Sequence, residues 1–345
     1  MLLLGSDEKT KEQLEDALGI IKNEELPVKL KALYDILTFN YEGLKIKLSN
    51  SIFPSQKFQM VSKYERDIKT AFKCEVQTLD YKENAETSKT VINNWVNYRT
   101  DGKIEKLFNS LAPEEGYELV CVIVSCIYFK GDWYDKFMSH NTCDDLFYCT
   151  TDKTATVKMM TQNNYYFYKS VDDSRFKCLK IPYKQRDFSM LIILPDDRFG
   201  VNDLIKRLDV KIIENLKDEK NFEKEDVLLK IPKFKMDYET SLKETLQLLR
   251  INDAFDEGSS DFSAMAVDAL QPNRRLHVSE VAHKAFIETS EEGTEAAAAT
   301  GMCLATFASR GRQTPQPIYF IVDHPFVFMI LHKSQTLFMG KVNSL

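Results

Sequence analysis

The chain has 345 residues, 43% of them hydrophobic and 22 of them Phe, enough to bury roughly three quarters of its unfolded surface, so one large domain or two ordinary ones would fit. Charged residues make up 28%, the net charge is −6, and Lys and Arg are scattered rather than gathered into a stripe, which excludes a nucleic-acid footprint. The longest nearly uninterrupted apolar run, Leu119 to Phe129, has eleven residues with Cys and Ser among them, well short of the roughly 20 that span a bilayer.

Helical spacing of apolar residues predicts helices over Lys9 to Leu18, Pro27 to Phe39 and Ser62 to Glu75, and a further one over Asn93 to Leu107 with a Gly-marked turn inside it. From Tyr117 the texture changes. E-L-V-C-V-I-V-S-C-I-Y-F is rich in β-branched and aromatic residues, the composition of a strand buried on both faces. Strand-like runs recur at Thr154 to Thr161, Tyr165 to Lys169, Cys178 to Tyr183, Phe188 to Leu194, Val227 to Phe234, Val278 to Glu288, Ile318 to Val322, Phe326 to His332 and Thr336 to Val342. Helices over Val201 to Leu208 and Thr240 to Leu249 interrupt them. The pattern predicts an α+β protein with long antiparallel strands, and no repeat or low-complexity linker divides the chain.

Seven cysteines (74, 121, 126, 143, 149, 178 and 303) lie at irregular spacing with no C-x-x-C. An odd number so arranged argues against a disulfide framework and a zinc knuckle, and they read as buried or incidental thiols. There is no G-x-S-x-G elbow, H-E-x-x-H, Walker loop or G-x-G-x-x-G, so neither enzyme, metal site nor cofactor is expected. Of the five histidines, His324 in D-H-P-F reads as a capped turn before a strand, and His140 and His332 as solvated. His283, in V-A-H-K-A-F on a strand, shares a face with Val281 and Ala285. It reads as a satisfied internal histidine, with a gate residue as the sharper alternative.

The ordered set of motifs resembles the serpin family, and within it the intracellular ovalbumin-like branch. I-N-N-W-V-N-Y-R-T-D-G-K-I at 92–104 is similar to the family's helix before the central sheet, and I-Y-F-K-G-D-W at 127–133 to the end of that sheet's third strand. V-K-M-M-T-Q at 157–162, I-P-Y at 181–183 and S-M-L-I-I-L-P-D-D at 189–197 follow in family order, as do I-P-K-F-K at 231–235, D-A-F at 253–255, D-F-S at 261–263, D-H-P-F-V-F at 323–328 and F-M-G-K-V at 338–342. The resemblance implies a single serpin domain over 1–345 with three β-sheets, a large central one among them, about eight or nine helices, and an exposed reactive loop over about 291–317. It also implies a suicide-substrate inhibitor of serine proteases. A protease cuts the loop, and the acyl-enzyme is trapped as the loop inserts into the sheet as a new strand. The alternative the family offers is a non-inhibitory carrier, chaperone or storage protein.

Glu291 to Cys303 reads E-E-G-T-E-A-A-A-A-T-G-M-C, and carried over it is the hinge: Glu291, Gly293, Thr294, Glu295, Ala296, Ala297, Ala298, Ala299 and Thr300. A segment that sits in water before cleavage and inside a sheet afterwards can carry neither large apolar groups nor charges on its inward face. With period two, Thr294, Ala296, Ala298 and Thr300 point inward, and the one charge, Glu295, points out. An Ala-rich surface helix is the ordinary reading of such a run, and it does not exclude later insertion.

Counting about 15 residues from Gly293 places the attacked bond at Phe307-Ala308, which suits a chymotrypsin-like pocket. The stretch from Phe307 to Pro325 is longer than the family's usual return, so Arg310-Gly311 and Arg312-Gln313 stand as alternatives for trypsin-like enzymes. The resemblance also makes Trp133 the aromatic where the loop meets the sheet. It makes His283 the histidine of the gate between the central strands, where the usual partner Asn is replaced by Ser125. Met1 to Ser6 resembles the end of the family's second helix, which implies a chain without the first helix and the strand after it.

Lys63, Arg66, Lys69 and Lys73 lie at helical spacing. A solvated basic face diluted by Glu65, Asp67 and Glu75 is preferred there, with weak glycosaminoglycan contact as the alternative. The expected partner is a target serine protease, bound covalently by a monomer. With no N-x-S/T acceptor and no signal-peptide pattern in M-L-L-L-G-S-D-E-K, the chain as written is expected in the cytosol. Secretion stays open if a longer N-terminus precedes it.

Overall fold

The structure, a computed structural model, describes residues 1–20, 26–111, 118–268, 270–271, 273–293 and 316–345. Among them are eight α-helices and three sheets of five, two and eight strands. The chain groups into two compact units.

The first unit comprises Met1–Phe39, Ile46–Tyr128 and Met236–Phe286. Helix Glu8–Ala17 starts where the Asp7 carboxylate accepts the Glu8 N–H, satisfying a donor that has no intrahelical partner. Helix Ser62–Phe72 buries Tyr64, Ile68 and Ala71, one per turn. It stops three residues before the predicted end because Lys73 turns left-handed (φ 46°), freeing Glu75–Val76 to pair in parallel with Ser51 and Ile52. Helix Ala85–Arg99 differs most from expectation. It begins eight residues earlier, in a polar stretch with a weak apolar stripe, and ends before Asp101 and Gly102, both at positive φ. The Asn93 carboxamide then accepts the N–H groups of Leu107 and Phe108 at 2.9 Å, fastening the loop that had been read as more helix.

In the five-stranded sheet the order is Phe234–Ser241, Glu280–Thr289, Cys121–Gly131, Leu44–Pro54, Glu75–Val76. Cys121–Gly131 is buried at nine of eleven positions, as its composition predicted. Leu44–Pro54 was not predicted as a strand. Its polar centre, Ser49-Asn50-Ser51, hides the pattern, which shows only where Ile52 and Phe53 are wholly buried. Ile92 and Val96 of helix Ala85–Arg99 share one core with Val122, Val124 and Cys126 of one middle strand and Ala282 and Phe286 of its neighbour. The two-stranded sheet pairs Phe58–Met60 with Ala266–Asp268.

The second unit comprises Asn40–Lys45, Phe129–Lys235 and Ile287–Leu345. Its sheet runs Ile318–Ile321, Glu223–Pro232, Lys153–Val171, Phe176–Pro182, Phe188–Pro195, Phe326–His332, Gln335–Val342, with Thr142–Thr150 paired to Lys153–Val171. The two strands predicted at 154–161 and 165–169 are one strand of 19 residues. The polar break Gln162-Asn163-Asn164 is spanned because Leu229, Leu228 and Val227 stand opposite it and complete the ladder. Phe188–Pro195 is buried at every position. Helix Val210–Lys217, too short to stand out by periodicity, is capped by Asp209 accepting from Ile212 N–H at 2.7 Å.

Five cysteines are buried free thiols (74, 121, 126, 149 and 178), but Cys143 is disulfide-bonded, which corrects the reading of all seven as thiols. His332 is also not solvated. It is 8% exposed and packs on the Phe188 ring at 4.6 Å. His324 is the capped turn expected, with Nδ1 on Asp323 Oδ1 at 2.7 Å and Nε2 on the Pro195 carbonyl at 2.9 Å. No helix among the described residues is long and apolar enough to cross a membrane.

Ile193 is fully buried in the core of the second unit. Ile193→Ala is expected to cost about 2–5 kcal/mol by transfer and cavity terms, read as a lower urea midpoint at unchanged slope.

Candidate functional site

The last turn of strand Cys121–Gly131 delivers Trp133 to a buried position, 1% exposed, stacked on Tyr183 with centroids 4.6 Å apart and planes 8° from parallel. Phe137 closes its other side edge-on at 6.2 Å. The indole N–H donates to the Ser290 carbonyl at 2.8 Å, so a large aromatic is both packed and polar-satisfied here. The backbone continues the grip: Trp133 N–H donates to the Glu292 carbonyl and Phe137 N–H to the Glu291 carbonyl, each at 2.9 Å. The chain leaving strand Glu280–Thr289 is thereby held from Ser290 to Gly293.

Ser290 and Gly293 close a tight turn on themselves, with N–H to carbonyl bonds of 2.6 and 3.1 Å in the two directions. Gly293 sits at φ 127°, and a Cβ there would lie 1.9 Å from the Gly131 carbonyl oxygen. Only glycine fits, by conformation and by space. Glu291 pairs with Lys233 at 2.8 Å and Glu292 with Lys136 at 3.4 Å. Burial pushes the Glu291 carboxyl up, but the hydrogen bond and charge of Lys233, its own backbone N–H and the Thr142 hydroxyl together outweigh it and hold the group below the usual carboxylate range.

Strand Glu280–Thr289 lies directly beside Cys121–Gly131, with no strand between them. The His283 imidazole meets the Ser125 backbone across this seam. Burial lowers the His283 pKa, and that backbone hydrogen bond opposes the shift. Next to it is a group the sequence reading missed. The Lys284 ammonium is buried and reaches the Lys106 carbonyl and Glu239 at 3.0 Å and Asp237 at 3.3 Å. Burial works against its charge, but the Glu239 hydrogen bond and both carboxylates prevail and raise its pKa. A lysine on the face of Ala282 and Phe286 was the signal available. Phe137, Tyr183, Lys233 and Ser290 were also missed, since only the fold brings them to Trp133.

Thr294, Glu295, Ala296, Ala297, Ala298, Ala299 and Thr300 lie outside the described residues, as do Phe307, Ala308, Arg310, Gly311, Arg312 and Gln313. Lys63, Arg66, Lys69 and Lys73 are all exposed along helix Ser62–Phe72 and its cap.

Two outcomes follow from this geometry. Gly293→Ala forces strain of about 1–3 kcal/mol and opens the turn. In a Trp95→Phe background, where Trp133 alone emits, its fluorescence is expected to shift to the red; an unchanged spectrum contradicts the grip described. Burial sets the His283 pKa in the fold below its unfolded value near 6.5. The unfolded state therefore binds more protons just below that pH, and stability falls on acidification through the unfolded value toward the lower folded one. His283→Gln should flatten that slope in urea titrations at several pH values.

The chain matches the family described as Serpin (serine protease inhibitor) over residues 1–345. It is 32% identical to leukocyte elastase inhibitor A of Mus musculus, over 100% of this chain and 89% of that protein. It is 31% identical to serpin B4 of Homo sapiens, over 100% and 90%. Among solved structures it resembles human thyroxine-binding globulin in complex with thyroxine, with a TM-score of 0.86 and 26% identity over 99% of this chain and 88% of that one. With the family matched along its whole length and the five-stranded sheet in place, the chain belongs to the serpin family.

Proposed function

We propose that this protein inhibits serine proteases as a suicide substrate, its residues 1–345 acting as one inhibitory domain whose reactive loop spans about 291–317. The observation that carries the reading is the join of a pinned turn to a permissive segment. Immediately beyond Gly293, whose position admits no side chain, the chain reads T-E-A-A-A-A-T, all small or short except one alternating Glu. The middle strands of the five-stranded sheet lie side by side with no sixth strand between them, which supports a state before insertion. Relatives named as protease inhibitors support the same reading.

In this mechanism the protease serine attacks the bait carbonyl and the loop inserts before the acyl bond is hydrolysed. About 15 residues of new strand at roughly 3.3 Å each move the tethered enzyme on the order of 50 Å, which distorts its catalytic site. Phe307-Ala308 is the bond this length selects, with Phe307 filling a hydrophobic specificity pocket. Arg310-Gly311 and Arg312-Gln313 are the bonds selected if the longer return to Pro325 shifts the register. Trp133 and the Lys233–Glu291 pair form a hold that insertion must release, and Ser125 with His283 a gate.

A second reading, a non-inhibitory carrier, chaperone or storage protein, is favoured by Ser125, a shorter side chain without the carboxamide, at the gate position where the family resemblance places Asn. A structural neighbour was solved holding thyroxine, so carriage of a small molecule is compatible with the fold.

Incubation with chymotrypsin is expected to give a complex that survives boiling in detergent, releasing a peptide that begins at Ala308. Phe307→Arg should transfer complex formation to trypsin. Clean cleavage with no stable complex from either enzyme refutes inhibition and supports the second reading. A released peptide starting at Gly311 or Gln313 moves the bait bond.

A further inference from the structure

Within the first unit, helix Ser62–Phe72, the strand residues Ser51 and Val76 and helix Ala85–Arg99 enclose an open cavity of about 600 Å³, within the size range of small-molecule sites. Trp95 forms part of its wall and is fixed from three directions. Its ring meets the buried Phe53 edge-on at 5.9 Å, its indole N–H donates to Glu75 Oε2 at 2.6 Å, and the Arg99 guanidinium lies 6.0 Å from its centroid. Val76 and Cys74 extend the apolar lining. A rigid, partly exposed indole is a surface on which a flat ring can stack without the cost of ordering a loose side chain.

Arg66 and Lys69 line the same cavity, three residues apart on one helix and therefore on one face of it. Neither has an ion-pair partner among the described residues. Two carboxylates also line the space. Glu75 is already engaged by Arg99 and Trp95, which leaves Glu65 alone against two cations. With Glu75 taken up by Arg99, the charges left on that side of the aromatic wall, Arg66, Lys69 and Glu65, carry one excess positive charge.

We propose that this cavity is a binding site for a small organic anion with a flat apolar body, a carboxylate or sulfonate carried on an aromatic ring, with the anion on Arg66 and Lys69 and the ring against Trp95. Guanidinium and ammonium groups satisfy an oxyanion by charge-assisted hydrogen bonds, and the indole supplies the apolar contact. The proposal goes beyond inhibition and does not depend on it.

Calorimetric titration with naphthalene-2-sulfonate, with no protease present, tests it. Saturable one-to-one binding is expected, at least tenfold weaker for the uncharged 2-naphthalenemethanol and at least tenfold weaker in the variant R66A/K69A. The variant K63A/K73A changes two exposed cations of the same helix region that do not line the cavity, and should bind as the unmodified protein does. No saturable heat, equal affinity for the uncharged compound, or an equal loss in K63A/K73A overturns the site, the last result assigning the anion to a diffuse basic face. All four positions are exposed, and matching circular dichroism of the variants shows that the fold persists.

Discussion

Two strands at the middle of a five-stranded sheet, Cys121–Gly131 and Glu280–Thr289, satisfy each other's backbone hydrogen bonds, and this seam is the constraint on which the rest of the structure turns. Buried backbone groups tolerate no orphaned donors or acceptors. A segment can therefore join the sheet here only if it offers a complete ladder to both neighbours as they part. The helix Ala85–Arg99 shares its core with both strands, so parting them also disturbs an apolar contact. His283 and Ser125 meet across the seam itself.

A second set of interactions decides how the chain leaves strand Glu280–Thr289. A stacked Trp133, three backbone carbonyls accepting from Trp133 and Phe137, a glycine with no room for a Cβ, and the Lys233–Glu291 pair all act on four residues, Ser290 to Gly293. Several of these are hydrogen bonds of modest net worth, each about 0.5–1.5 kcal/mol. Their effect lies in number and in shared geometry: they fix the direction of the segment that follows rather than add greatly to global stability. A hold of many weak bonds can be released one at a time.

The polar groups inside the first unit obey the same rule. Lys284 is tolerated in a strand because Asp237, Glu239 and the Lys106 carbonyl surround it, a buried charge with its partners supplied. Trp95, Arg99 and Glu75 form a smaller network at the edge of the sheet. In each case the partners come from segments far apart in the chain. No window of sequence displays them together.

How much was legible follows from where the determining contacts lie. The buried strand at 121–131 and the wholly apolar strand at 188–195 were readable because their composition suffices, each residue being inside whatever its neighbours do. Helix Ala85–Arg99, strand Leu44–Pro54 and the unbroken strand Lys153–Val171 were misread for the opposite reason. Their polar stretches are held by partners across the fold, such as Val227 to Leu229 opposite Asn164 to Gln162. The order of short motifs determined the family, and the run of small residues after Gly293 was plain at once, because side-chain size is a property of sequence alone. That Gly293 admits no side chain, that Trp133 grips Ser290, and that His283 meets the backbone of Ser125 were decided only by tertiary structure. Each is a distance between residues that the chain itself keeps far apart.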